Sequence, residues 1–83
     1  MKVQVLGPGC AKCKKTYDVV VDALRQLGEN ADVEKIDRID EIMKFGVMMT
    51  PAVVVNGKVK CSGKIPTVAE VTNYIATALA EAE

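Results

Sequence analysis

Two cysteines stand three residues apart in Gly9-Cys10-Ala11-Lys12-Cys13, close to the start of the chain. Thiols at that spacing suit one of two chemistries. They cycle between dithiol and disulfide, or they bind a soft metal as thiolates. Their position in the chain favours the first. Lys2–Leu6 is rich in valine and ends at Gly7-Pro8-Gly9, the pattern of a strand running into a loop. From Cys10 to Leu27 the apolar positions fall at Cys13, Tyr17, Val20, Val21, Leu24 and Leu27, a helical stripe with Gly28 as its stop. Cys10 thus opens a helix, where unpaired backbone N–H groups and the positive end of the dipole favour a charged thiolate. In comparable sites the thiol pKa falls to about 7 or below, and the thiolate is the attacking species in disulfide exchange. Cys13 continues the apolar stripe and Cys10 precedes it, so the spacing predicts an exposed attacker, Cys10, and a sheltered resolver, Cys13. Lys12, Lys14 and Lys15 oppose the dipole in the first turns, a conflict that a nearby thiolate would relieve. Lys12, between the two cysteines, is the candidate thiolate-stabilising residue.

The remaining elements must position this pair. Ala31–Ile36 reads as a second strand, and Asp37 as the N-cap of a short helix carrying Ile39, Ile42 and Met43 and ending near Gly46. Ala52–Val55 and Lys58–Cys61 flank Asn56-Gly57, the composition of a two-residue hairpin turn. An unbroken register then sets Val55 against Lys58, Val54 against Val59, Val53 against Lys60 and Ala52 against Cys61. Thr67 and Glu70 form a capping-box pattern after Pro66, opening a helix with Val68, Val71, Ile75 and Leu79 on one face. The order β-α-β-α-β-β-α defines an α/β fold with parallel pairing first and an antiparallel hairpin at the edge.

Composition narrows the function classes. Eighty-three residues, 49% of them apolar, suit one domain spanning 1–83 that needs no disulfide staple. Eleven Lys plus Arg balance eleven Asp plus Glu, which argues against nucleic acid as a partner. The apolar runs are too short to span a membrane, and the first residues alternate like a strand instead of forming a secretory signal. The expected compartment is the cytoplasm, where structural disulfides are rare. Three cysteines, two of them in a CxxC, then point to chemistry or metal and not to a disulfide framework.

Together these features resemble the thioredoxin/glutaredoxin superfamily, and in particular its small redox-active disulfide proteins of archaea and bacteria. The resemblance is carried by Gly9-Cys10-Ala11-Lys12-Cys13-Lys14, Thr50-Pro51, Asn56-Gly57-Lys58 and Gly63-Lys64-Ile65-Pro66, and it covers essentially the whole chain. It implies a thioredoxin-like fold with a four-stranded mixed sheet flanked by three helices. It further implies a monomeric thiol–disulfide oxidoreductase that exchanges a Cys10–Cys13 disulfide with protein disulfides, is served by an upstream reductase, and needs no cofactor. In this family the active-site proline is cis and the residue before it pairs with the bound substrate chain; those roles fall on Pro51 and Thr50. The chain departs from the family in having Gly9 where a tryptophan is usual and Ala11-Lys12 between the cysteines. No residue marks a glutathione site.

Other readings stay open at this level. A copper-chaperone domain also carries CxxC between a first strand and first helix, and Cys10, Cys13 and Cys61 could hold Cu(I) or Zn. Against it, Pro8 stands where such motifs carry Met, the chain closes on a helix and not a strand, and a closed zinc site lacks a fourth donor. A redox-inert interaction module is the third class. Met48 and Met49, before Thr50-Pro51, suit either an adaptable substrate surface or core filling. Cys61 reads first as a small apolar residue of an edge strand, near the redox pair but outside its cycle.

Overall fold

A computed structural model describes residues 1–9 and 11–81. Its elements run β1 (Lys2–Leu6), α1 (Ala11–Leu27), β2 (Asp32–Ile36), α2 (Ile39–Met43), β3 (Ala52–Val55), β4 (Lys58–Ser62) and α3 (Val68–Glu81). The four strands form one mixed sheet in the order β2-β1-β3-β4. β1 pairs parallel with β2 and antiparallel with β3, and β3 pairs antiparallel with β4. This is the thioredoxin-like arrangement that the sequence and its resemblance imply.

Strand alternation divides the core in two. Val3 and Val5 of β1 and Val53 and Val55 of β3 join Val20, Ala23 and Leu24 of α1 and Val71, Ile75 and Ala78 of α3. Leu6, Ala52 and Val54 point to the other face and meet Ile36, Ile42 and Val47, with Phe45 packed alongside. β3 is covered on both faces, so all four of its residues are buried.

α1 is rotated from the stripe of apolar residues read along the sequence. Its buried positions are Cys13, Thr16, Val20, Ala23 and Leu24, while Tyr17 and Val21 are half-buried and Leu27 is exposed. Thr16 can turn inward because its hydroxyl donates to the Lys12 carbonyl at 2.8 Å, leaving no unpaired polar atom. The helix ends as Gly28 implies: the Glu29 N–H reaches the Leu24 carbonyl at 3.0 Å and the Gly28 N–H the Arg25 carbonyl at 3.1 Å.

β2 begins at Asp32, one residue later than Ala31. The N-cap of α2 is Arg38 and not Asp37, and no side-chain hydrogen bond caps the helix. Of the three apolar residues on this short helix only Ile42 is buried, whereas Ile39 and Met43 are 66% and 67% exposed. One turn and a half of helix presents too narrow a face to bury all three.

The hairpin turn forms as Asn56-Gly57 requires, with φ of 49° and 81°. Positive φ at both central positions marks a turn whose twist matches the strands. Val55 faces Lys58 and Val54 faces Val59, but a bulge then intervenes: Val53 pairs with Cys61 and Ala52 with Ser62. The expected Val53–Lys60 and Ala52–Cys61 pairs are therefore corrected. An unbroken ladder would aim Lys60 at the face where Val53 meets α3, and desolvating an ammonium there is costly. The extra residue shifts the register so that Cys61 takes the core place opposite Val53, while Lys60 lies beside Ala78 and Glu81 of α3. α3 opens on the expected capping box. The Glu70 N–H donates to Thr67 Oγ1 at 3.1 Å, and the Thr67 N–H to Glu70 Oε1 at 3.0 Å.

Candidate functional site

The residues with chemical potential gather at the end of the sheet where β1 and β2 finish and β3 begins. The Gly7 N–H donates to the Ile36 carbonyl at 2.9 Å, tying the two parallel strands together just before the Pro8-Gly9 loop. α1 starts at Ala11, which sets Cys13 in its first turn. Cys13 is buried, 6% exposed, as its place in the apolar stripe predicts. Cys10 lies outside the described residues.

The packing around Cys13 depends on Gly7. A Cβ built on Gly7 would overlap Cys13 Sγ and stand 3.0 Å from Cys13 Cβ and 3.9 Å from Thr50 Cβ. The backbone of the β1 exit therefore lies directly on the sulfur of the second cysteine, and Thr50 borders the same spot. Sequence reading did not single out Gly7. Its signal was only a glycine in a loop run, indistinguishable there from Gly9.

The Thr50–Pro51 peptide bond is cis. Pro51 is buried and Thr50 half-buried. The Pro51 carbonyl accepts from the Gly63 N–H at 2.9 Å, which holds the exit of β4 against this loop. Met49 packs over Gly63, whose missing Cβ would sit 3.2 Å from Met49 Cβ and 3.3 Å from both Sδ and Cε.

Met48 is 97% and Met49 64% exposed, so neither is buried core filler. Met48 and Thr50, with Pro8 from the β1–α1 loop and Ile39 and Met43 from α2, line an open apolar groove of about 380 Å³. The groove thus joins the loop that leads to Cys10 with the residue that precedes Pro51. The exposed apolar residues of α2 border it.

Cys13 itself lines a second cavity, of about 240 Å³, whose walls also include Gly7, Gly9, Lys14, Lys35 and Asp37. The Lys35 ammonium stands 4.4 Å over the ring of Tyr17. Lys12 is exposed, and its carbonyl accepts the Thr16 hydroxyl.

Cys61 belongs to the core between the sheet and α3, 9% exposed. Burial pushes its thiol above the ordinary value. Hydrogen bonds to the Val53 backbone and the Tyr74 side chain, and the nearby Lys64 charge, oppose that shift without cancelling it. A thiol held protonated is a poor nucleophile. Lys64 itself is engaged with Glu70 at 2.7 Å. Among the described residues no cluster of three or more metal-ligating side chains occurs, and no helix is long and apolar enough to cross a membrane.

Residues 1–76 match the family described as Thioredoxin domain. The chain is 32% identical over 75 residues to a protein named Thioredoxin from Methanothermobacter thermautotrophicus, covering 90% of this chain and 97% of that one. It is 36% identical over 69 residues to a protein of the same name from Methanocaldococcus jannaschii, covering 83% of this chain and 79% of that one. A Probable Thioredoxin from Methanothermobacter marburgensis is 34% identical over 67 residues, 76% of this chain and 79% of its own.

Proposed function

The chain belongs to the thioredoxin family, and on that premise we propose that it is a protein disulfide reductase in which Cys10 attacks and Cys13 resolves. The Cys10 thiolate attacks one sulfur of a partner disulfide. That S–S bond breaks, a mixed disulfide forms at Cys10, and the released partner thiolate takes up a proton. Cys13 then gives up its proton and attacks Cys10 Sγ. The second partner thiolate leaves and is protonated, and a Cys10–Cys13 disulfide remains. Two electrons and two protons have passed to the partner, and an upstream dithiol reverses the process on this chain.

The observation that carries this reading is the shelter of Cys13, closed in by Gly7 and bordered by Thr50. A buried second thiol is reached readily by a sulfur held at Cys10 and poorly by outside reagents, which is the selectivity a resolving cysteine needs. Thr50 and Pro51 would lie along the partner's backbone, and the groove flanked by Ile39, Met43 and Met48 would take an apolar side chain beside its disulfide. Methionines suit that task because their unbranched thioethers adapt to different shapes. Lys12, in the first turn of α1, would add positive charge near the Cys10 thiolate. A reducing compartment such as the cytoplasm fits this direction of exchange.

The test is trapping. Cys13→Ser should accumulate mixed disulfides with insulin or with lysate proteins, while Cys10→Ser should not. Equal trapping by both variants, or no catalysis of insulin reduction by the unaltered protein, would overturn the assignment.

A further inference from the structure

Six of the eleven basic side chains, Lys12, Lys14, Lys15, Lys35, Lys44 and Lys60, take no part in the ion pairs among the described residues, which engage Lys2, Arg25, Arg38, Lys58 and Lys64. Two of those six, Lys14 from α1 and Lys35 from β2, line the cavity beside Cys13. They come from different elements and meet only because the first helix lies over the second strand. The cavity holds one carboxylate of its own, Asp37, and no ion pair joins Asp37 to a lysine among the described residues. Asp18, one helical turn beyond Lys14, is exposed and does not line the cavity. The cavity is therefore a cationic recess, and its wall is the backbone that covers the sulfur of Cys13.

We propose that this recess takes an acidic side chain of the protein partner, an aspartate or glutamate next to the partner's reactive disulfide, held between Lys14 and Lys35. Three features support that occupant. About 240 Å³ is room enough for one carboxylate side chain. Lys35 is steadied by the Tyr17 ring, so less freedom is lost when it engages an anion. Exposed lysines hold an anion weakly, too weakly to keep a free small anion in place. A residue already tethered by a mixed disulfide meets them at an effective concentration of about millimolar or more. The recess thus selects among partners and does not store a ligand.

The proposal rests on the exchange reaction assigned to Cys10 and Cys13, and the experiment separates the two. Two peptides, each closed by one internal disulfide, differ only in carrying Glu or Lys beside their cysteines. The fully reduced protein is mixed with each and single-turnover rates are measured. At low salt the Glu peptide should react about five- to tenfold faster, and the preference should collapse at about 1 M salt, where the screening length is about 3 Å. In the Lys14→Glu/Lys35→Glu double variant the preference should reverse. The ratio of the two rates within one protein cancels any change in thiol reactivity, so a merely structural effect of the substitutions does not move it. A preference that persists in the double variant, or equal rates for the two peptides in the unaltered protein, would overturn the inference. Failure of both peptides to react at all would overturn the exchange reading, and this inference with it.

Discussion

Gly7→Ala tests whether the backbone at the end of β1 positions the second cysteine. The added methyl would overlap Cys13 Sγ and lie 3.0 Å from Cys13 Cβ. Carbon atoms settle at about 3.5–4.0 Å, so the first turn of α1 must retreat by about 0.5–1 Å and the thiol must leave its present rotamer. Overpacking of this kind costs about 1–3 kcal/mol. For a domain of this size each kcal/mol lowers Tm by about 4–8 °C, and a cost of about 2 kcal/mol gives a drop of roughly 8–16 °C. The assay is thermal unfolding under dithiothreitol, which keeps the cysteines as thiols. Gly7 has no left-handed backbone to complicate the exchange, since its φ is not among the positive values of the chain. A second comparison isolates the sulfur. Placing Gly7→Ala in a Cys13→Ala background removes the worst overlap and leaves only the 3.0 Å contact between Cβ atoms. The cost of Gly7→Ala should then shrink by about 1 kcal/mol or more. A Tm within about 2 °C of the unaltered protein, or costs that simply add, would refute the argument that Gly7 and Cys13 are mutually fitted.

Three further outcomes follow from other parts of the fold. Thr67→Ala removes the acceptor for the Glu70 N–H at the start of α3 and should cost about 1 kcal/mol, read as a Tm lower by about 4–8 °C. Cys61→Ser should keep insulin reduction near the unaltered rate, because Cys61 is a core residue of the last strand and its thiol is held protonated; a loss approaching that of Cys13→Ser would put it in the catalytic cycle. The same variant should also flatten the alkaline fall in stability. The folded thiol keeps its proton above its ordinary value of 9.0 while the unfolded chain releases it, so unfolding is favoured increasingly as pH rises past that value. Unfolding midpoints measured between about pH 8 and 10 with and without Cys61 check the sign.

The elements were legible where one local signal dominates. Asn56-Gly57 and the Thr67–Glu70 pair each name their own geometry, and both form as their residues dictate. The order of strands and helices follows from those punctuators and from valine-rich runs. What could not be read locally were effects decided by a neighbour in space. The rotation of α1 toward Thr16 and Ala23 depends on what lies beneath it and on a hydroxyl that finds its own backbone partner. The bulge in β4 puts Cys61 opposite Val53 in the core beneath α3, a register the hairpin sequence alone does not announce. At the candidate site the spacing of Cys10 and Cys13 and the Thr50-Pro51 pair were visible at once. Gly7 and the lysine pair at 14 and 35 were not, since each acquires its meaning only when β1, α1 and β2 converge.

α2 shows how the same physics separates core from site. A five-residue helix makes little more than one turn, so it can fix one apolar side chain in the core, and Ile42 takes that place beneath Val54 and Leu6. Ile39 and Met43, one turn apart on the side facing the groove, are left outside at a cost in exposed apolar surface. The exposed residues follow the sequence as Met43, Met48 and Met49, and each can be repacked against an incoming chain with little strain. The chain thus offers adaptable apolar contact through α2 and the Thr50 loop. Beside Cys13 it offers charge through Lys14 and Lys35. Apolar contact made by flexible side chains admits many partners, whereas the charged recess rejects some of them. Under the proposed exchange, a partner that satisfies both carries an apolar and an acidic residue beside its disulfide.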